Sequence, residues 1–398
     1  MRISTSAIHA SAVALLNDRL AELVKTQNQL STGKRILTPA DDPTAAVQAL
    51  ELDRALQESK QYERNSNAAT TRLSFEEQAL ADATSLLDRI RVLTIQANSG
   101  AMDDTARNSI ATEIRTRLGE LVDIANRRDA NGEYLFAGYA TLTQPFSVSG
   151  TSVTYAGDQG VRMLQTSETQ TVADGHPGSY VFMDIPQGNG SFYTAASNTN
   201  TGTGVIDTGT VLNGTWVADN YTIQFTSPTT YDILDGTNTV ISSGTYSGTS
   251  ETITFNGVQV NFTGKPATGD TFTVSPSGSE DIFTTISNLL TTLARPDNSE
   301  AQSALFATEI GATLSQLDRA LEHLSSVRSE VGGRLSVLES AAEARADREL
   351  DMQTTLSGLR DLDFAEAISR LNVQLTGLQA AQQSYAQITQ LSLFNYLR

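Results

Sequence analysis

The amino-acid sequence predicts a mainly α-helical protein with an inserted β domain. Two observations support this fold class. Apolar residues recur at intervals of three and four in both flanks of the 398-residue chain, and residues 141–280 hold 18 of its 28 glycines and six of its nine prolines. We therefore expect an antiparallel coiled-coil or helical-bundle rod, formed by the N- and C-terminal segments, that carries an outer antiparallel β domain. The expected domains are an axial terminal coiled coil (1–40 with 362–398), a helical-bundle rod (41–140 with 281–361) and the β-rich domain (141–280).

The N-terminal flank is predicted to contain several helices. Asp42 and Pro43 place a capping carboxylate before a first-turn proline, which indicates that a new helix begins there. Asp103 and Asp104 stand where another helix N-terminus favours negative charge. Asn131 and Gly132 can turn the chain, and we expect a short strand at 134–136.

The middle segment is predicted to be an antiparallel β-sandwich or barrel. The runs 152–155, 221–225, 252–255 and 258–262 are rich in β-branched and aromatic residues, and glycine turns separate them. The segment has only two basic residues, Arg162 and Lys265. With its 11 acidic residues, the segment has a net charge of −9, half of that of the whole chain.

The two chain ends each carry a narrow apolar stripe, about two positions in seven, as in the seam of a coiled coil. Stripes this narrow would leave apolar surface unpaired in a monomer, so we expect them to form an assembly interface between subunits. The ten residues of this predicted interface are Val13, Leu16, Leu20, Leu23, Leu30, Ile368, Leu371, Leu375, Leu378 and Tyr385.

The composition argues against several functions. The chain has no cysteine, only three histidines and a net charge of −18, which disfavours thiol chemistry, a zinc site and nucleic-acid binding. We find no catalytic constellation and expect no enzyme activity, cofactor or metal; Asp41 and Asp42 are interpreted as helix caps. The N-terminal apolar run is too short for membrane insertion, and we interpret it as part of the first helix rather than a cleaved signal.

Three stretches resemble bacterial flagellins and hook-associated proteins. They are Gln29–Pro43 (QLSTGKRILTPADDP), Asn131–Gly138 (NGEYLFAG) and the region from Asp361 to Leu397. The second and third are similar to the hook-associated protein 3 family in particular. The positions that match the family motifs are Arg35, Asp41, Asp42, Pro43, Tyr134, Phe136, Gly138, Phe394 and Tyr396.

This resemblance implies a structural role in the bacterial flagellum: a layer at the hook–filament junction, between hook-associated protein 1 and the flagellin filament. The implied partners are hook-associated protein 1, flagellin, a flagellar export chaperone and further copies of the chain. It also implies an extracellular location, reached through the flagellar type III system without a cleaved signal. Two alternatives remain open: a flagellin that forms the filament itself, or a surface-exposed adhesin that binds glycans through the β insert.

Overall fold

The computed structural model describes residues 5–99, 102–150, 152–212, 214–296 and 298–390. The protein is mainly helical, with antiparallel strands inserted between two helical flanks, so the predicted fold class is confirmed. The described helices are α1 (Thr5–Thr32), α2 (Pro43–Ala97), α3 (Asp104–Ala125), α4 (Ile282–Leu293), α5 (Glu300–Arg360) and α6 (Phe364–Gln390), with one π-helical turn at Ser179–Met183.

The strands lie between α3 and α4, and every strand pair among the described residues is antiparallel. The strands are β1 (Phe146–Ser149), β2 (Ser152–Tyr155), β3 (Met163–Gln165), β4 (Thr171–Ala173), β5 (Ile185–Pro186), β6 (Phe192–Ala196), β7 (Val205–Ile206), β8 (Thr210–Val211), β9 (Tyr221–Ser227), β10 (Thr230–Leu234), β11 (Val240–Thr245), β12 (Ser250–Phe255), β13 (Val258–Thr263), β14 (Thr271–Pro276) and β15 (Ser279–Glu280). The four strands that the sequence predicts correspond to β2, β9, β12 and β13, so they are confirmed.

Two of the sheets share one apolar core. The larger has the strand order β11-β10-β9-β14-β6, and the other has the order β12-β13-β7 with β8 also paired to β13. Side chains that alternate along the strands, such as Ile223 and Phe225 from one sheet and Val260 and Phe262 from the other, are fully buried in this core. The shared core is that of a β-sandwich.

The chain divides into two compact units. The terminal unit combines residues 1–64 with 340–398, and the central unit comprises Asn65–Glu339. Because α2 and α5 cross these boundaries, each helix contributes to both units. The three-part domain division expected from the sequence stays a prediction.

The central unit has a second, helical core beside the β-sandwich core. Fully buried leucine and isoleucine residues of α2, α3 and α5, including Leu80, Leu87, Ile114 and Leu317, form it. Phe283 of α4 is also fully buried there and packs on the rings of Phe146 in β1 and Phe182 in the π-helical turn. The apolar periodicity of the helical flanks therefore marks residues that are buried within the chain.

The helix starts that the sequence predicts are confirmed. Ala45 N–H donates to Asp42 Oδ1 at 3.0 Å at the start of α2, and Ala106 N–H donates to Asp103 Oδ1 at 2.7 Å at the start of α3. The strand predicted at 134–136 is wrong. There the backbone bonds to loop groups instead of a neighbouring strand, since Tyr134 N–H donates to the carbonyl of Thr141 at 2.8 Å.

Candidate assembly site

Helices α1 and α6 lie side by side and run in opposite directions. Near the start of α1, the ring of His9 packs edge-on against Tyr385, with 6.0 Å between the ring centroids. At the other end of the pair, Lys34 forms an antiparallel bridge with Asp361, and Leu362 N–H donates to the carbonyl of Gly33 at 3.0 Å. The two terminal segments therefore form an antiparallel helix pair, as the fold class predicted.

The ten residues of the predicted interface fall into two groups. Six are covered within the chain: Leu23 is 6% exposed, and the others are partly buried, namely Leu16, Leu30, Leu371, Leu378 and Tyr385. The remaining four expose 38–50% of their surface: Val13, Leu20, Ile368 and Leu375. Within one chain, one edge of each narrow stripe thus packs inside the helix pair, and the other edge is exposed to solvent.

The exposed group contains two apolar residues that the sequence did not predict: Val24, which is 44% exposed, and Phe364, which is 53% exposed. A helix rotates by about 100° per residue. Leu15 and Val373 are also exposed but lie on other faces of their helices, whereas Val13, Leu20 and Val24 lie on one flank of the buried stripe of α1, and Phe364, Ile368 and Leu375 lie on the corresponding flank of the stripe of α6. An antiparallel neighbour reverses the sense of rotation, so both flanks fall on the same side of the pair. We call this surface the apolar row: Val13, Leu20, Val24, Phe364, Ile368 and Leu375.

The segment between α1 and α2 ties the helix pair to the end of α5. Arg35 N–H donates to the carbonyl of Arg360 at 2.7 Å, and Arg35 Nη2 donates to the carbonyl of Leu359 at 2.8 Å. The carbonyl of Arg35 accepts a bond of 2.6 Å from Nε2 of Gln29, a side chain that is 5% exposed. Arg35 therefore has a structural role: its hydrogen bonds join the end of α1, the segment between α1 and α2, and the end of α5.

The two aspartates that follow stabilise the same joint. Asp41 accepts hydrogen bonds from the N–H groups of Leu37 and Thr38, and it pairs with Lys25 Nζ at 2.7 Å. The Lys25 ammonium and these N–H groups hold the pKa of Asp41 well below its usual value of 3.8. The pKa of Asp42 is also lowered, chiefly by the Ala45 N–H at the start of α2.

The second group of motif residues lies in the central unit. Tyr134 is 6% exposed and Phe136 is fully buried. Gly138 has a φ of +69°, and a Cβ atom there would lie 2.2 Å from Oδ1 of Asp158. That carboxylate also accepts bonds from the N–H groups of Tyr139 and Gly160, at 2.8 and 2.7 Å. These motif residues close a loop and do not form a binding surface.

A buried ionic cluster in the central unit was missed by the sequence reasoning. Arg72 of α2 is 6% exposed; its Nη1 pairs with Asp129 Oδ2 at 3.0 Å, and its Nη2 donates to the carbonyls of Tyr134 and Leu135 at 2.9 and 3.1 Å. Asp174 lies 3.9 Å from Arg72 Nε. No spacing in the sequence pointed to this cluster, since its partners come from distant loops.

Three further predictions concern the C-terminal motif residues, metal ions and membrane spans. Phe394 and Tyr396 lie outside the described residues. Within the described ranges, no set of three or more histidine, aspartate and glutamate side chains is arranged to hold a metal ion. No helix in this part of the chain is long and apolar enough to cross a membrane.

The helical flanks match two known protein families. Residues 3–141 match the bacterial flagellin N-terminal helical region, and residues 314–397 match the bacterial flagellin C-terminal helical region. The chain is 35% identical to flagellar hook-associated protein 3 of Salmonella typhimurium over 185 residues, which is 46% of this chain and 58% of that relative's length. These matches define the class: a protein with the paired terminal regions of a flagellin.

Two solved structures define the family more closely. FlgL of Xanthomonas campestris is 33% identical, with a TM-score of 0.73, and the match covers 77% of this chain and 99% of that one. The flagellar junction protein FlgL of Legionella pneumophila is 32% identical, with a TM-score of 0.71, and the match covers 79% of this chain and 100% of that one. The chain belongs to the FlgL family, that of the flagellar hook-associated protein 3.

Proposed function

We propose that this protein is a structural subunit of the bacterial flagellum that forms the junction layer between hook-associated protein 1 and the flagellin filament. The apolar row on the α1–α6 pair carries the proposal, because it offers one continuous surface on which neighbouring subunits can pack. The printed names of the relatives support the same location, since one of them is a flagellar junction protein.

The apolar row has a sufficient size for this role. Fully burying a leucine, isoleucine, valine or phenylalanine side chain contributes about 1.5–3 kcal/mol. The six side chains of the row are about half exposed, so each would contribute roughly 1 kcal/mol on contact with a neighbour. One such contact is weak by itself, which favours an assembly in which each subunit touches several neighbours.

The proposed partners are hook-associated protein 1, flagellin and further copies of this chain, with an export chaperone before assembly. The role is mechanical and needs no cofactor or catalysis. The axial part would be 1–40 with 362–398, the next shell 41–140 with 281–361, and the outer domain 141–280. Export without a cleaved signal, through the flagellar type III system to the extracellular flagellum, belongs to the same proposal.

Complementation of a gene deletion tests this function. A strain without the gene should complete its hook but release unpolymerised flagellin into the medium. Ile368→Glu, in the apolar row, should be exported but should not restore filaments. Val373→Glu is the matched control, because Val373 is 69% exposed and lies on the opposite side of α6, so it should restore them.

Three results would contradict the proposal. Normal filaments with Ile368→Glu would remove the role of the apolar row. A deletion strain that retains its flagellin on the cell would remove the junction role. Growth of long filaments from this purified protein alone would favour the flagellin alternative.

A further inference from the structure

The central unit contains a polar cavity that the proposed junction role does not use. Its volume is about 330 Å³, and it lies between the β5–β6 loop with the start of β6, β15 and the helices α4 and α5. Ligand sites in proteins begin at about this size. Hydroxyl, amide and carboxyl side chains form most of its wall, and the ring of Tyr193 and the methyl group of Ala312 supply apolar surface.

One wall of the cavity holds an amide group with unused hydrogen-bonding capacity. Gln316 of α5 is 5% exposed, and its Oε1 accepts a bond of 3.2 Å from the N–H of Gly188. This bond fixes the orientation of the amide. Its Nε2 then has no partner among the described residues. A buried donor without a partner is costly, and a ligand oxygen in the cavity would satisfy it.

The wall also holds the carboxyl group of Glu280, which lies near the carboxylate of Asp281 and bonds to neutral side chains. Glu280 bonds to Gln187, Thr285 and Asn288, and the distance from Asn288 Nδ2 to Glu280 Oε1 is 3.2 Å. Burial raises the pKa of Glu280 from 4.5. A carboxyl group in this setting can accept hydrogen bonds from ligand hydroxyls.

The charges of the cavity disfavour ionic ligands. Arg295 Nη1 bonds to Glu309 Oε1 at 3.0 Å, so the positive charge in the wall is already neutralised. An anionic ligand would therefore meet no free cation, and it would be repelled by Glu280. An amide donor, a carboxyl acceptor, several threonine hydroxyls and one aromatic ring are together suited to a molecule that carries many hydroxyl groups on a small apolar frame.

We propose that this cavity binds a small neutral polyhydroxylated ligand of monosaccharide size. The ligand hydroxyls would take the free Nε2 of Gln316 and the carboxyl of Glu280, and its C–H face would rest on Tyr193. The site is independent of the apolar row, because it lies entirely in the central unit.

Saturation-transfer difference NMR and calorimetry on the full-length protein test the site, with D-glucose, D-galactose and D-mannose as probes. At least one sugar should bind with a dissociation constant in the millimolar range or tighter. Gln316→Leu should weaken that binding about fivefold, which is the value of one neutral hydrogen bond. Ala312→Phe should abolish it by filling the cavity.

Two controls keep the test decisive. Ala344→Phe lies on the same helix but at an exposed position, so it should leave binding unchanged. The helical circular dichroism of each variant shows whether it is folded, and Gln316→Leu decides the outcome if Ala312→Phe does not fold. Absence of any sugar signal, or a signal that persists in both cavity variants, would overturn the proposal. Binding of putrescine that Ala312→Phe abolishes would replace it with a cation site.

Discussion

Replacing Arg72 with methionine should strongly destabilise the central unit. The guanidinium is nearly buried and bonds to Asp129 and to the carbonyls of Tyr134 and Leu135. Methionine keeps most of the volume but leaves Asp129, whose side chain is 7% exposed, without its cationic partner, whereas Asp174 keeps its ion pair with Arg162 at 2.6 Å. Removing one partner of a buried ion pair typically costs about 3–5 kcal/mol. For a unit of this size, that corresponds to a fall in Tm of about 10 °C.

The measurement is thermal and urea unfolding followed by tryptophan fluorescence, because Trp216 is the only tryptophan and lies in the central unit. Arg89→Met is the matched control in the same unit: its side chain is 48% exposed and pairs with Glu113 at 2.9 Å, so the change should be within about 1 kcal/mol. Arg72→Lys should fall between the two, since an ammonium cannot make the same forked contacts. A loss below about 1 kcal/mol for Arg72→Met would refute this account of the cluster.

Three further changes test other parts of the structure. Gly138→Ala should cost about 2 kcal/mol in urea unfolding, because it combines a left-handed backbone conformation with a clash against Asp158; an unchanged midpoint would contradict the strain. Glu280→Gln should raise Tm at pH 7 but not at pH 4: its raised pKa means that its contribution to stability is complete below 4.5 and is lost as the pH rises through the folded-state pKa. Asp41→Asn should weaken the helix pair at pH 6 and reduce its acid sensitivity. The lowered pKa of Asp41 gives stability above pH 3.8 that is lost as the pH falls through the folded-state pKa. Circular dichroism between pH 6 and 2 measures this loss, and parallel curves for variant and wild type would contradict it.

The helical flanks and four of the 15 described strands could be predicted because their evidence is local. A capping carboxylate such as Asp42 accepts a hydrogen bond from an N–H group three residues away. The apolar residues that a helix buries recur with the period of the helix, so they can be recognised within its own sequence. The strand expected at 134–136 failed for a related reason. Its aromatic residues suit a strand, but whether a neighbouring strand bonds to Tyr134 depends on residues that local patterns do not identify.

The candidate site was predictable only in part. The periodicity identified both terminal stripes, but it could not show which edge of each stripe meets the other helix. That division depends on how α1 and α6 rotate against each other, so Leu23 became buried while Leu20, three residues away, remained exposed. Arg72 illustrates the stronger limit, because its partner Asp129 lies 57 residues away and no pattern of spacing joins them.

The pairing of α1 with α6 makes the terminal unit sensitive to whether the chain is whole. The joint links Arg35 to a carbonyl 324 positions later in the sequence, and α1 packs against α6, which follows that region. Most of the stability of a helix in a protein comes from the packing of its apolar face and not from its intrinsic propensity. During synthesis, α1 can therefore gain its packing against α6 only after the last part of the chain has been made. A prematurely terminated chain that contains the central unit would still lack the α1–α6 pair. It would therefore lack the surface by which subunits are proposed to bind one another, and it would not join the assembly.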